Sequence, residues 1–266
     1  MSPIGARPVP SAALCPGISV LVTDRFGGVS TGPFAELNLG DLVGDDQEAV
    51  RRNRERALAR IGSGVRTLAW MRQVHGARVA YQPAETGQDG QDGQSDAAPT
   101  GPDTRHQEVD ALFTDARAVA LAVQVADCAP VLLADPVAGL IGAAHAGRPG
   151  MAAGVVAALV TAMQAAGADP ARMHALIGPA ICGRCYEVPE QMRSQVGALV
   201  PGSACVTSRG TPGIDLRAGL HGQLAGLGVT AVRDDARCTV ESPELFSYRR
   251  DGTTGRFAGL IWFSAG

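Results

Sequence analysis

Aromatic residues are scarce in this chain: Phe, Trp and Tyr make up only 4% of its 266 residues. That leaves too few rings for the stacking platforms that grip single-stranded nucleic acid. A basic excess is missing too. Lys and Arg number 23 against 26 Asp and Glu, a formal net charge of -3, so the electrostatic footprint of a nucleic-acid binder is absent. The opening stretch MSPIGARPVPSAALCPG carries one Arg and lacks the apolar run of a secretory signal. Its six cysteines, Cys15, Cys128, Cys182, Cys185, Cys205 and Cys238, are therefore expected to be reduced thiols of a cytoplasmic protein. A chain of this length does not need disulfide staples. One uncharged stretch, residues 149–168, is long enough to cross a bilayer, but it is mostly Ala and Gly with Thr161 and Gln164 inside. It reads as a buried helix, and no membrane partner is expected. Two metal-site patterns are incomplete. Cys182-Gly183-Arg184-Cys185 has no second C-x-x-C to finish a zinc ribbon, and the base-deaminase pattern H-x-E…P-C-x-x-C does not occur.

What is present centres on Val119 to Gly150, VALAVQVADCAPVLLADPVAGLIGAAHAGRPG. Three apolar runs of strand length follow one another there, each bounded by turn residues. The first ends on Asp127 and Cys128, the third on His145. A thiol and an imidazole thus sit where buried strands stop, as reactive groups at a cleft mouth do. Further strands are expected at 18–23, 65–71, 79–81, 174–177, 204–207, 229–232 and 257–263. Helices are expected at 46–61, 150–166, 189–199 and 215–227, with a polar turn at 247–252. Residues 83–108, rich in Gly, Gln, Asp and Pro, have too few apolar side chains to order themselves; a mobile loop carrying a solvated His106 is expected. Strands and helices mix without a regular βαβ beat, which favours α+β over a doubly wound sheet.

Three residues far apart in sequence, His75, Cys128 and His145, carry the most telling chemistry. Two imidazoles and a thiolate suit zinc and leave a fourth position open. The same atoms allow a metal-free alternative, with Cys128 as nucleophile and His145 as its base. Earlier in the chain, the Gly-rich loop TDRFGGVSTGPFAELNLGDLVGDD can form an anion nest clamped by Arg25, or be a plain surface loop.

The motifs TDRFGGVSTGPFAELNLGDLVGDD, WMRQVHG, DALFT, ADCAPVLLADP, HAG, IGPAICGRCYEV and FSYRRDGTTGR occur in this order. In this the chain resembles the laccase-domain family, also called YfiH-like or multicopper polyphenol oxidase-like, over roughly residues 20 to 263. The resemblance implies a single α+β domain, residues 1–266, with a mixed β-sheet core flanked by helices. It implies zinc on His75, Cys128 and His145. Copper, which the polyphenol-oxidase label expects, is discounted, because one Cys and two His are too few for a multicopper cluster. It further implies phosphorolysis of adenosine, inosine, guanosine and S-methyl-5'-thioadenosine to base and ribose 1-phosphate, with adenosine deamination beside it. Purine nucleosides and phosphate are thus the expected partners, and the chain a monomer or homodimer. On this reading Arg25 neutralises phosphate, Asn38 and Asp127 contact ribose or base, and Tyr248 and Arg249 form pocket wall. The family usually reads HAGWRG where this chain has His145-Ala146-Gly147-Arg148-Pro149-Gly150, so Arg148 is the candidate to replace the displaced arginine. A non-catalytic, metal-stabilised interaction protein is the remaining alternative.

Overall fold

In the computed structural model, residues 12–61, 64–84 and 108–264 are described. The three central apolar runs form β6 (Val119–Val125), β7 (Ala129–Asp135) and β8 (Leu140–Ala146). They do not share one sheet. β6 lies in a five-stranded sheet with β1 (Ala12–Cys15), β2 (Ile18–Val22), β3 (Thr67–Ala69) and β13 (Phe257–Phe263), in the order β1-β2-β13-β6-β3. β7 and β8 lie in a six-stranded sheet with β4 (Val79–Tyr81), β5 (Ala111–Thr114), β9 (His174–Ile177) and β12 (Ala231–Asp234), ordered β12-β9-β7-β8-β5-β4. Both sheets are mixed: β3–β6, β4–β5 and β12–β9 pair in parallel, and the other ladders of these two sheets are antiparallel. A separate two-stranded ladder joins β10 (Ala204–Val206) to β11 (Pro212–Ile214).

Alternation along the strands explains how the layers stack. Leu121 and Val123 of β6 and Ile261 of β13 meet Leu132 of β7 and Ile141 and Ala143 of β8 in one buried cluster between the sheets. Their neighbours one residue along face outward. Ala120, Ala122, Leu260 and Trp262 pack with Leu37, Leu39 and Ala57 under α1 (Gln47–Ala59). Val131, Leu133 and Ala144 pack against α3 (Val155–Ala165) and α5 (Leu216–Gly226). The result is helix, sheet, sheet, helix. Strands covered on both faces have no polar side, which is why β6, β7 and β8 read as nearly continuous apolar runs.

Several expected boundaries move. The helix expected over 150–166 is two helices, α2 (Arg148–Ala152) and α3, broken at Gly154, whose φ of 79° is a left-handed conformation that glycine adopts without strain. The polar turn at 247–252 contains a short helix, α6 (Tyr248–Asp251), and the strand expected over 229–232 lies at 231–234. α1 starts as expected, with the Asp46 side chain accepting the Ala49 N–H at 3.1 Å, and α4 (Glu190–Leu199) falls where expected. β1, β5 and β11 were not anticipated. Residues 85–107, the bulk of the expected mobile loop with His106, lie outside the described residues. Among the described residues no helix is long and apolar enough to cross a membrane.

Candidate active site

Twice the chain passes from the five-stranded sheet to the six-stranded one through a short crossover, β3 to β4 and β6 to β7. Each crossover carries one candidate ligand, His75 in the first and Cys128 in the second. Each also contains a non-glycine residue forced into left-handed backbone, His75 itself at φ 63° and Asp127 at φ 90°. Such conformations persist only where surrounding bonds over-determine them. Around His75 the buried carboxylate of Asp110 does this, accepting the N–H groups of Val74 at 3.3 Å, His75 at 2.9 Å and Gly76 at 2.6 Å. Around Asp127 its own carboxylate does it, accepting from Thr239 Oγ1 at 2.6 Å, Ser247 Oγ at 2.7 Å and the Arg249 N–H at 2.6 Å.

The third residue, His145, is buried near the end of β8, its Nδ1 2.8 Å from Asp110 Oδ1. Asp110 therefore orients the His145 ring and fixes the backbone from which His75 projects. If Nδ1 carries the proton toward Asp110, Nε2 of His145 keeps a lone pair for a metal. One ligand atom from each of His75, Cys128 and His145 falls within 4.8 Å of the others. Cys128 Sγ lies 3.7 Å from His75 Nε2, and the two imidazole rings meet edge to face at 4.6 Å between centroids. Gly147 caps this cluster so closely that a Cβ there would stand 2.7 Å from Cys128 Sγ and 2.9 Å from His75 Cδ2.

The electrostatics match a ligand set. Burial pushes the Cys128 thiol up, but the charge of His145 and hydrogen bonds from both imidazoles outweigh it and bring the thiol down to about 6. Burial pushes His145 down, yet the negative Cys128 and Asp110 raise it to about 9. Burial likewise opposes ionisation of Asp110, and the hydrogen bonds from His145 and Gly76 overcome it, so its carboxyl sits below the usual range.

The cluster lies in a cavity of about 510 Å³ whose wall includes Arg148, Tyr186, Tyr248, Arg249 and Arg256. Of the residues expected here, Asp127, Arg148, Tyr248 and Arg249 do line it. Asp127 is there as a brace, because its carboxylate is occupied by three donors of the chain. Arg25 and Asn38, also expected here, are not among the residues that line the cavity. Arg25 Nε donates to the Ala35 carbonyl at 2.8 Å, and its guanidinium lies over the Phe246 ring. The Gly-rich loop is no open anion nest either: the N–H groups of Phe26, Gly27 and Val29 donate to Asp24, Glu36 and Asn53. Asn38 is fully buried and works at one remove, its Oδ1 accepting the Arg256 N–H at 2.8 Å. Arg256 Nη1 donates to the carbonyls of Thr254 and Gly255. Asp110 and Arg256 escaped the residue-level reading, although both stand in quoted motifs: Asp110 opens DALFT and Arg256 closes TTGR.

The description of one protein family, multi-copper polyphenol oxidoreductase laccase, matches residues 19–264. The chain belongs to this family. Purine nucleoside phosphorylase ORF3 of Streptomyces griseus is similar to this laccase-family chain at 55% identity over 240 residues, 90% of this chain and 92% of that one. A purine nucleoside phosphorylase of Deinococcus radiodurans is 40% identical over 90% of this chain and 87% of its own. Among solved structures, YlmD from Geobacillus stearothermophilus matches with a TM-score of 0.80 at 34% identity, covering 96% of this chain and 94% of that chain. YfiH of Bacillus licheniformis matches at 0.78 with 27% identity, over 93% of each chain. The fold is thus the YfiH-like α+β fold. The family's description speaks of metal, and the donors here suit one ion: a thiol already lowered, two imidazoles, and a carboxylate that holds the ring of one and the backbone of the other. Among the described residues, the laccase-family cavity contains no third imidazole for a multicopper cluster.

Proposed function

We propose that this chain is a zinc-dependent purine nucleoside phosphorylase, with adenosine deamination as a side activity. The observation that supports it most is the shared wall of the cavity: the His75–Cys128–His145 cluster stands with three guanidinium groups and two phenols. The names of these relatives agree with the phosphorylase part of this reading. Zinc is favoured over copper because a three-ligand set with an open position is the usual form of a catalytic zinc site. When bound, the ion supplies a fixed positive charge and Lewis acidity beside the reacting groups.

The chain's own residues do the rest. Arg256, steadied by Asn38 and by two carbonyls, and Arg148, from the first turn of α2, face the cavity as phosphate partners. Tyr186 and Tyr248 offer faces for the purine. Burial pushes the Tyr186 phenol up against the opposing charge of Arg148, and the Arg249 guanidinium lies over its ring, 5.0 Å from the centroid. In phosphorolysis a phosphate oxygen bonds to C1′ while the C1′–N9 bond breaks; the electron pair leaves with the purine, which takes up a proton. The sugar becomes oxocarbenium-like between these events, so an anion pinned against C1′ by fixed cations stabilises the transition state.

The lowered Cys128 thiol also favours a second reading, a metal-free cysteine hydrolase with His145 as base. A nucleophile needs one base, however, and here two imidazoles converge on the sulfur, which fits an ion better. Incubation of the pure protein with adenosine separates the readings. Adenine and ribose 1-phosphate formed only with phosphate support phosphorolysis; inosine formed without phosphate marks the deaminase activity; neither product removes both. Loss of one zinc equivalent together with turnover in His75→Ala supports the ion, whereas full turnover with the triad free of metal, blocked by thiol alkylation, supports the hydrolase. Arg256→Met is expected to raise the KM for phosphate about 10- to 100-fold, the usual weight of a hydrogen bond to a charged group, with nucleoside KM little changed.

A further inference from the structure

A second group of metal-ligating side chains lies on two other chain segments. Cys182, Cys185, Cys238 and Glu241 place three Sγ atoms and a carboxylate oxygen within 4.8 Å of one another. They come as two pairs with the same spacing, Cys182-x-x-Cys185 and Cys238-x-x-Glu241. Each pair is folded into a tight turn. The N–H groups of Cys185 and Tyr186 donate to the Cys182 carbonyl at 2.9 and 3.0 Å, and those of Glu241 and Ser242 to the Cys238 carbonyl at 3.1 and 2.9 Å. A parallel bridge between Ala180 and Cys238 lays the turns side by side. The Cys182 N–H donates to Cys238 Sγ at 3.4 Å, as backbone amides do to thiolates, and Cys185 Sγ reaches Glu241 Oε1 at 3.6 Å. The C-x-x-C that lacked a partner in the sequence has one in space, a C-x-x-E.

We propose that Cys182, Cys185, Cys238 and Glu241 form a structural zinc site. Three sulfurs select a borderline-soft divalent cation over magnesium or calcium, and two x-x turns facing each other are the ligand geometry of a zinc ribbon. A disulfide would use two of the sulfurs and leave the third thiol and the carboxylate without a role. The ion pair of Glu241 with Arg184 at 3.0 Å is exposed, so it competes weakly for the carboxylate. Zinc entering the site displaces the thiol protons to solvent, so its affinity rises with pH. Its effect reaches the cavity through the backbone. Ile181 and Tyr186, flanking the first turn, line the cavity wall, and Thr239, inside the second, donates to Asp127 at 2.6 Å beside Cys128. The site braces the wall and touches no substrate.

The test uses the full chain and no turnover. Zinc content after equilibration and removal of loose metal should be about two equivalents per chain for the unaltered protein. It should fall to about one when His75→Ala and Cys128→Ala are combined, and to about one when Cys185→Ser and Glu241→Ala are combined. Glu241 is exposed and Cys185 only half-buried, so that second pair leaves the packed core alone. In the variant lacking His75 and Cys128, added cobalt(II) should give a thiolate-to-cobalt charge-transfer band that Cys185→Ser weakens. Glu241→Cys, which completes a four-thiolate set, should tighten zinc by about tenfold or more. Absence of both zinc and the cobalt band in the variant without His75 and Cys128 overturns the proposal. So does a zinc content that Cys185→Ser with Glu241→Ala leaves unchanged.

Discussion

Asp110 is a carboxylate with no solvent exposure that serves four donors: three consecutive backbone N–H groups in the first crossover and the His145 ring. Asp110→Asn keeps the shape but puts an amide NH₂ where acceptors are needed. Loss of such an orienting partner typically weakens metal binding about 10- to 100-fold, and that loss is expected in competition with a chelator. An unchanged affinity would mean that the His145 ring is oriented by packing alone. A second expectation concerns pH in the metal-free protein. The Cys128 thiol is lowered from its ordinary 9.0 to about 6, so its contribution to stability is present above the unfolded value and lost as pH falls through about 6. His145 is raised from 6.5 to about 9, so its contribution is complete below the unfolded value and lost as pH rises through about 9. Between those two values both groups are charged, and chelated protein should be most stable there. Its thiolate ultraviolet absorbance should fall with a midpoint near 6, and Cys128→Ser should abolish that step. A midpoint at the ordinary thiol value would show that the imidazoles do not charge the sulfur.

At the scale of elements, Gly147 is the N-cap residue of α2 and lies directly against the sulfur and the first imidazole. Gly147→Ala forces a methyl to within 2.7 Å of Cys128 Sγ, a contact that cannot be kept. The crossovers are rigidly bonded, so the side chains must turn away. Loss of one metal equivalent is expected with secondary structure intact, read by elemental analysis beside circular dichroism; a variant that keeps its full metal content would show that α2 yields instead. The same elements mark what the sequence could tell. β6, β7, β8 and β13 were legible because nearly continuous apolar runs admit few other readings, and the Asp46 cap located the start of α1. The break at Gly154 was not legible, since a glycine in an Ala-rich run looks tolerable until its φ is known. Arg25 was favoured for its glycine-rich setting, yet glycine there serves close packing: a Cβ at Gly28 would collide with the backbone of Glu36 at 2.0 Å. His75, Cys128 and His145 stood out by residue type, two of them at strand ends, but no short spacing links them, and only the family motifs favoured one shared ion over the metal-free alternative. The Cys238-x-x-Glu241 half of the second cluster was hidden for another reason: with glutamate as its fourth ligand, it does not look like a zinc motif.

At the scale of the whole molecule, the triad sits where the two sheets exchange chain. His75 and Cys128 occupy the two crossovers, and His145 comes from the six-stranded sheet alone. An ion held by all three therefore fastens one edge of the sheet-on-sheet packing as well as serving the cavity. Hydrogen bonds accepted by the Asp110 and Asp127 carboxylates hold both crossovers without it. The metal-free chain should accordingly fold, with native far-ultraviolet circular dichroism, but unfold at a lower temperature. For free zinc at a hundred times its dissociation constant, the linkage relation gives about 2.7 kcal/mol. In a chain of this size that corresponds to about 5–10 °C in the unfolding midpoint. The measurement belongs in a Cys185→Ser, Glu241→Ala background, so that zinc at the other thiol cluster does not contribute. There, the midpoint should climb with the logarithm of zinc concentration and stop responding when His75→Ala is added. A zinc response that survives His75→Ala would place the stabilising ion away from the crossovers, and the link between the cavity and the joining of the two sheets would have to be abandoned.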